Sequence, residues 1–193
     1  MADTTTPAHP LSNIIGNVRN IINQPTTPEQ TYLNMVRAVI KSHQMILEIN
    51  HSMNEPDPTL FTVRNGPFAG MKMRRQISAG SLLPMLFGSY EAELHKEIEA
   101  AIATPYKTFV NIGCGDGYYA SGMARRMPNT TVIAADINPM SQVGCRHNAV
   151  LNTVAERVQV MGLFRGEDFA RLPARQTLVM VDIESAEDEL LDP

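Results

Sequence analysis

Gly113-Cys114-Gly115-Asp116-Gly117 follows directly on an apolar run, Thr108-Phe109-Val110-Asn111-Ile112. Glycines at alternate positions let a backbone turn tightly and let a ligand lie close to the main chain. A helix opening at Tyr118 would add free N–H groups and the positive end of its dipole at the same place. Asp136 closes a second apolar run, Val132-Ile133-Ala134-Ala135, 19 positions after Gly117. A carboxylate there can accept both hydroxyls of a ribose. Asp182 and Glu184 follow the last apolar run, Thr177-Leu178-Val179-Met180-Val181. Such a pair suits general-base work on a hydroxyl. Two carboxylates can also hold a divalent cation, but no further ligands complete a metal shell, so no metal is assigned. The glycines and Asp136 therefore point to a nucleotide-like cofactor.

These residues need a scaffold, and the sequence supplies one from Lys107 onward. Strands are predicted over 108–112, 131–135, 158–161 and 177–181, with helices over 118–127, 140–152 and 167–172. Regular alternation of strand and helix implies a parallel sheet covered on both faces. Residues 1–10 are polar. Leu11, Ile14, Ile15, Val18, Ile21 and Ile22 follow helical spacing. Thr27-Pro28-Glu29-Gln30 reads as a capping box opening a second helix, which carries Leu33, Val36, Val39, Ile40, Leu47 and Ile49. Asn54 to Pro58 is a linker rich in helix breakers. Leu60–Val63 and Met71–Met73 flank Asn65-Gly66-Pro67 and predict a small hairpin. A short helix over 80–88 and a longer one over 89–103 lead into the first strand. The expected divisions are 1–57, 58–106 and 107–193.

The 193 residues carry 44% hydrophobic and 19% charged side chains, enough for a buried core. No apolar run reaches membrane-spanning length, and Met1–Pro10 lacks the basic and apolar regions of a secretory signal. Cys114 and Cys145 cannot form a disulfide framework, so a cytoplasmic setting is expected. Of the formal charge of −4, six acids between Asp182 and Asp192 contribute the excess; the rest sums to +2. No dense Lys/Arg cluster tracks a phosphate backbone, and Lys72, Arg74 and Arg75 read as a solvated face. Neither nucleic acid nor membrane is expected as a partner.

The dinucleotide fingerprint needs its third glycine where Tyr118 stands. The spacing here, G-x-G-x-G, resembles motif I of the class I S-adenosylmethionine (SAM)-dependent methyltransferases. Val132-Ile133-Ala134-Ala135-Asp136 resembles the second-strand motif of that superfamily, and residues 146–160 also look like many members. Val181-Asp182-Ile183-Glu184-Ser185-Ala186-Glu187 is similar to the D-x-E-G-x-E motif of the FkbM-type branch, with Ser185 in place of its glycine. The resemblance spans roughly 107–190. It implies a Rossmann-like sheet in the order 3-2-1-4, the front of a seven-stranded sheet, behind a helical N-terminal extension and the hairpin. It implies SAM as cofactor. Gly113, Cys114, Gly115 and Gly117 would form the loop under its methionine part. Asp136 would hold the ribose, and Ile137, Gly162 and Leu163 would pack on the adenine. Glu91, from the helical segment capping the pocket, would reach the cofactor with Tyr90 as its neighbour. Asn111 stands where the superfamily often has an acid. Asp182, with Glu184, would serve the methyl acceptor.

The implied reaction is O-methylation of a small molecule or sugar. A binding or assembly module without turnover, the front of a larger methyltransferase, and a nicotinamide oxidoreductase are the alternatives. A βα unit takes about 30 residues, so the stretch from Lys107 holds four strands and not seven. The fourth strand would then be an apolar edge, which soluble proteins cover. The hairpin, the N-terminal helices or a second copy of the chain are the expected covers.

Overall fold

A computed structural model describes residues 57, 59–75, 82–183 and 187–191, with 27, 29–30, 32–34, 36–37 and 40–41. The chain divides into two compact units, Met1–Met53 and Asn54–Pro193. In the first, the described residues after Thr27 are helical. Gln30 N–H donates to Thr27 Oγ1 at 3.3 Å, which is the predicted N-cap. The Gln30 side-chain amide donates to Asn34 Oδ1 at 3.2 Å, one turn on. Leu33, Val36 and Ile40 are exposed. The helix expected over 11–22 lies outside the described residues.

The second unit opens with an antiparallel hairpin, β1 (Leu60–Thr62) and β2 (Lys72–Arg74), in register Phe61 to Met73. Its inward residues Phe61, Val63, Phe68, Met71 and Met73 are almost fully buried, together with Leu86 of α1 (Leu82–Phe87). The longer helix starts later than the sequence predicts. α2 runs from His95 to Ala103, after a single 3-10 turn at Ala92–Leu94. Ser89 and Tyr90 N–H both turn back to the Pro84 carbonyl, and Glu91 takes a left-handed conformation, so residues 89–91 form a bend.

The core sheet has four parallel strands: β3 (Thr108–Ile112), β4 (Thr131–Ala135), β5 (Val158–Met161) and β6 (Thr177–Val181). Their order is β5-β4-β3-β6, the expected 3-2-1-4. All five residues of β3 are buried, because β3 is flanked by strands on both sides and covered on both faces. Val110, Ile112, Ala135 and Phe164 build the core of one face. α3 (Tyr118–Arg126) and α4 (Pro139–Leu151) pack against the sheet, and every α3 residue from Tyr118 to Ala124 is buried. Arg157 closes the C-terminal end of α3, donating to the carbonyls of Ala124, Met127 and Thr130 at 2.5, 3.1 and 3.1 Å. The last described helix is α5 (Glu187–Leu191).

The hairpin is fastened to α4 by two buried asparagines. Asn148 Oδ1 accepts from Arg74 N–H at 2.8 Å, and Asn152 Oδ1 accepts from Lys72 N–H at 2.9 Å. Side-chain amides thus take the outer ladder positions of β2, where a third strand would pair. This placement removes one expectation: the hairpin does not cover β6. Among the described residues β6 pairs with β3 alone, and Val179 is exposed. No helix among the described residues is long and apolar enough to cross a membrane.

Candidate functional site

The chain leaves β3, builds β4 and β5 to one side, then crosses back to β6 on the other. The end of β3 is therefore a topological switch point, where open α/β sheets hold ligands. The glycine loop sits there. Gly113 and Cys114 N–H both donate to the Ala135 carbonyl, at 2.8 and 2.9 Å. Gly113 has φ +80°, and a methyl on its Cα would stand 1.7 Å from the Asp182 carbonyl oxygen. Only glycine lets β3 and β6 come so close. Gly115, at φ +50°, differs: a methyl there would meet no atom within 4 Å. Its outer side is open. Asn148 Nδ2 donates to the Asp116 carbonyl at 2.7 Å, so the residue that fastens the hairpin also pins this loop.

Asp136 lies on the β4 side of the loop. Its Oδ2 accepts from Gly115 N–H and its Oδ1 from Asn138 N–H, both at 2.8 Å. Each oxygen keeps a lone pair for a further donor. Asp136 is not the cap of α4; Asn138 is, accepting from Met140 N–H at 2.9 Å with Pro139 next in line. Gln142 Nε2 donates to the Asp136 carbonyl at 2.8 Å and lies close to Gly162. Ile137 is 76% exposed and Leu163 52%. Burial, then the charge of Asp136, raises the Asp116 carboxyl above its ordinary range.

The first turn of α3, just after the loop, is aromatic and acidic. Tyr119 donates a short hydrogen bond to Glu91 Oε2. Tyr90 and Tyr118 meet edge to face at 5.4 Å, as do Phe68 and Tyr118 at 5.2 Å. Burial first, then the charge of Glu91, pushes the Tyr118 hydroxyl up to about 12. Burial, the Glu91 charge and hydrogen bond, and the Asp182 charge push Tyr90 up to about 12 as well. Asn111 Oδ1 and the Tyr118 hydroxyl are buried without a hydrogen-bond partner among the described residues. Burying a polar atom unpaired is costly, so these two atoms beside the loop are candidates to meet the polar groups of a ligand or water. Cys114 is buried; the neighbouring Cys145 thiol, and then burial, raise its pKa, so the helix end does not activate it.

The structure thus brings Gly115 to Asp136 and Gly113 to Asp182, and it sets Glu91 beside the first turn of α3. Asp182 is exposed, and its N–H continues the sheet to the Ile112 carbonyl at 2.9 Å. Glu184 lies outside the described residues. Glu187 Oε1 accepts from Ile183 N–H at 3.1 Å, which ties α5 to the strand end. Sequence reasoning missed Tyr119, Gln142 and Asn148. Tyr119 carried a signal, since it follows the loop by two residues. Asn148 carried none, because its partners are 32 and 74 residues away.

A stretch of 79 residues is 34% identical to tRNA (guanine(37)-N(1))-methyltransferase of Mus musculus, covering 41% of this chain and 15% of that protein. Another alignment, 83 residues at 32% identity, matches the release factor glutamine methyltransferase of Cereibacter sphaeroides over 43% of this chain and 29% of that protein. Both are methyltransferases, and the sheet order and glycine loop here are those the superfamily resemblance implies. The second unit carries a Rossmann-like parallel sheet, and the aligned stretches make it similar to these two methyltransferases over that part. The alignments span less than a third of either relative. Neither relative is described as FkbM-type. No family model matches the chain. Among solved structures, an S-adenosylhomocysteine-bound methyltransferase of Podospora anserina aligns with TM-score 0.44 and 15% identity, over 94% of this chain and 62% of that one.

Proposed function

We propose that this chain binds S-adenosyl-L-methionine across the glycine loop and directs its methyl group to a hydroxyl of a small molecule or sugar. The observation that carries the reading is Gly115, open above its Cα while its own N–H is held by Asp136. A ligand can lie against that backbone with its ribose hydroxyls on the spare lone pairs of Asp136. Gly113, Cys114 and Gly117 shape the loop beneath it. Ile137, Gly162 and Leu163 flank Asp136 with apolar surface suited to an adenine. Asn111 Oδ1 and the Tyr118 hydroxyl supply polar atoms for the amino-acid end.

When bound, SAM supplies a methyl already activated on a sulfonium. The protein's task is then to hold an acceptor oxygen in line and exclude water. In this reading Asp182, at the end of β6, takes the proton of a hydroxyl, with Glu184 as second acceptor. We assign the protein to the cytoplasm, with no nucleic-acid or membrane partner. The edge of β6 that has no strand partner among the described residues is covered by a second copy of the chain or by another contact.

Titration calorimetry with S-adenosylhomocysteine, SAM and NAD tests the cofactor; the first two bind and NAD does not. A methyl-release assay across hydroxyl acceptors tests the reaction. Tight binding of SAM with no release from any acceptor would support a binding module instead.

A further inference from the structure

Glu91 holds a backbone conformation that L-residues seldom adopt, at φ 45° and ψ 51°. The surroundings enforce it. Pro84 accepts from the N–H groups of Ser89 and Tyr90, His95 Nε2 meets the Tyr90 carbonyl at 3.2 Å, and the Glu91 carbonyl accepts from Leu94 N–H at 2.8 Å. Strain that the structure over-determines in this way is concentrated at functional sites. It turns the Glu91 carboxylate toward three tyrosines: Tyr119 donates to it, and its charge reaches Tyr90 and Tyr118. Among the described residues no Lys or Arg forms an ion pair with it.

The corner is rich in acceptors and poor in cations. Asn111 Oδ1, 2% exposed as a residue, has no donor among the described residues, and the Glu91 carboxylate beside the loop meets only tyrosine hydroxyls there, with no ion-pair partner among the described residues. A ligand anchored by its ribose at Asp136 and lying on the Gly115 backbone extends along the loop toward the first turn of α3, where Tyr119 holds Glu91. We infer that Glu91 receives the α-ammonium of the cofactor's amino-acid end, supplying the charge that the carboxamide of Asn111 lacks. Tyr119 is a positioning residue: its hydroxyl fixes the carboxylate and its ring packs on Phe68 and Tyr118. The inference rests on the proposed binding of SAM.

The test compares two ligands that differ only in that end. S-adenosylhomocysteine carries the ammonium and carboxylate; 5′-methylthioadenosine keeps the nucleoside and sulfur and lacks both. Glu91→Gln weakens S-adenosylhomocysteine by about 10- to 100-fold, the size of a hydrogen bond to a charged group, and leaves methylthioadenosine unchanged. Tyr119→Phe weakens the first by roughly 3- to 10-fold, with the same split. Deaminated S-adenosylhomocysteine against the wild-type chain makes the same comparison without any variant, and shows a loss matching Glu91→Gln. The inference is overturned if Glu91→Gln binds S-adenosylhomocysteine as the wild type does, or weakens both ligands equally. Wild-type protein that binds neither ligand would instead overturn the reading beneath it.

Discussion

Gly113 and Gly115 have similar backbone angles but separate duties, and alanine at each should tell them apart. Gly115→Ala adds a methyl in open space at φ +50°. It costs about 1–2 kcal/mol for the left-handed conformation, leaves the fold intact and removes cofactor binding. Gly113→Ala drives a methyl to 1.7 Å from the Asp182 carbonyl, so β3 and β6 must part and the melting temperature falls sharply. Thermal melts beside a binding titration check both. The tyrosines give a prediction in pH. Tyr90 and Tyr118 ionise near 12 in the folded protein against an ordinary value of 10.0. Their raised values favour the folded state fully below pH 10, and that contribution is lost as pH rises through 12. Denaturant midpoints measured from pH 9 to 12 should fall, and fall less in Tyr118→Phe. At this scale the glycines and Asp136 were legible from sequence because their chemistry is local. Glu91 was legible only through resemblance. Its partner Tyr119 lies 28 residues away, a separation that no spacing rule covers.

Each core strand was readable as a short apolar run between breakers, and β3, β4, β5 and β6 fall where those runs stand. The miss over 89–94 has a physical cause. Helical spacing of Leu94, Ile98 and Ile102 predicts one long helix, but the Pro84 carbonyl captures two N–H groups and bends the chain first. The hairpin was legible from Asn65-Gly66-Pro67, whereas its seat was not, because side-chain amides on α4 choose it. Asn148 should therefore matter to two elements at once. Asn148→Ala strands the Arg74 N–H and the Asp116 carbonyl, at about 1–3 kcal/mol for two half-buried hydrogen-bonding groups. Hydrogen exchange should quicken in both β2 and the glycine loop. Exchange quickened in β2 alone would mean that the loop does not depend on this residue.

Composition and spacing read the whole molecule less completely than its parts. The sheet order 3-2-1-4 followed from the motifs, but the partner of β6 did not, since nothing local specifies what lies beyond an edge. The apolar strand ends against no described neighbour, so the proposed cover should show as association. Sedimentation velocity should find the chain larger than a monomer, and Val179→Lys, a charge on the edge strand, should shift it toward one. A wild-type monomer at all concentrations would argue against self-association through β6. The open backbone at Gly115 is the proposed seat for SAM. The measurement that tests this most directly is calorimetric titration of S-adenosylhomocysteine and NAD into the wild type and Gly115→Ala. S-adenosylhomocysteine should bind the wild type, NAD should not, and the variant, still folded, should bind neither. NAD binding in place of S-adenosylhomocysteine, or a variant that binds S-adenosylhomocysteine as well as the wild type, would contradict that assignment.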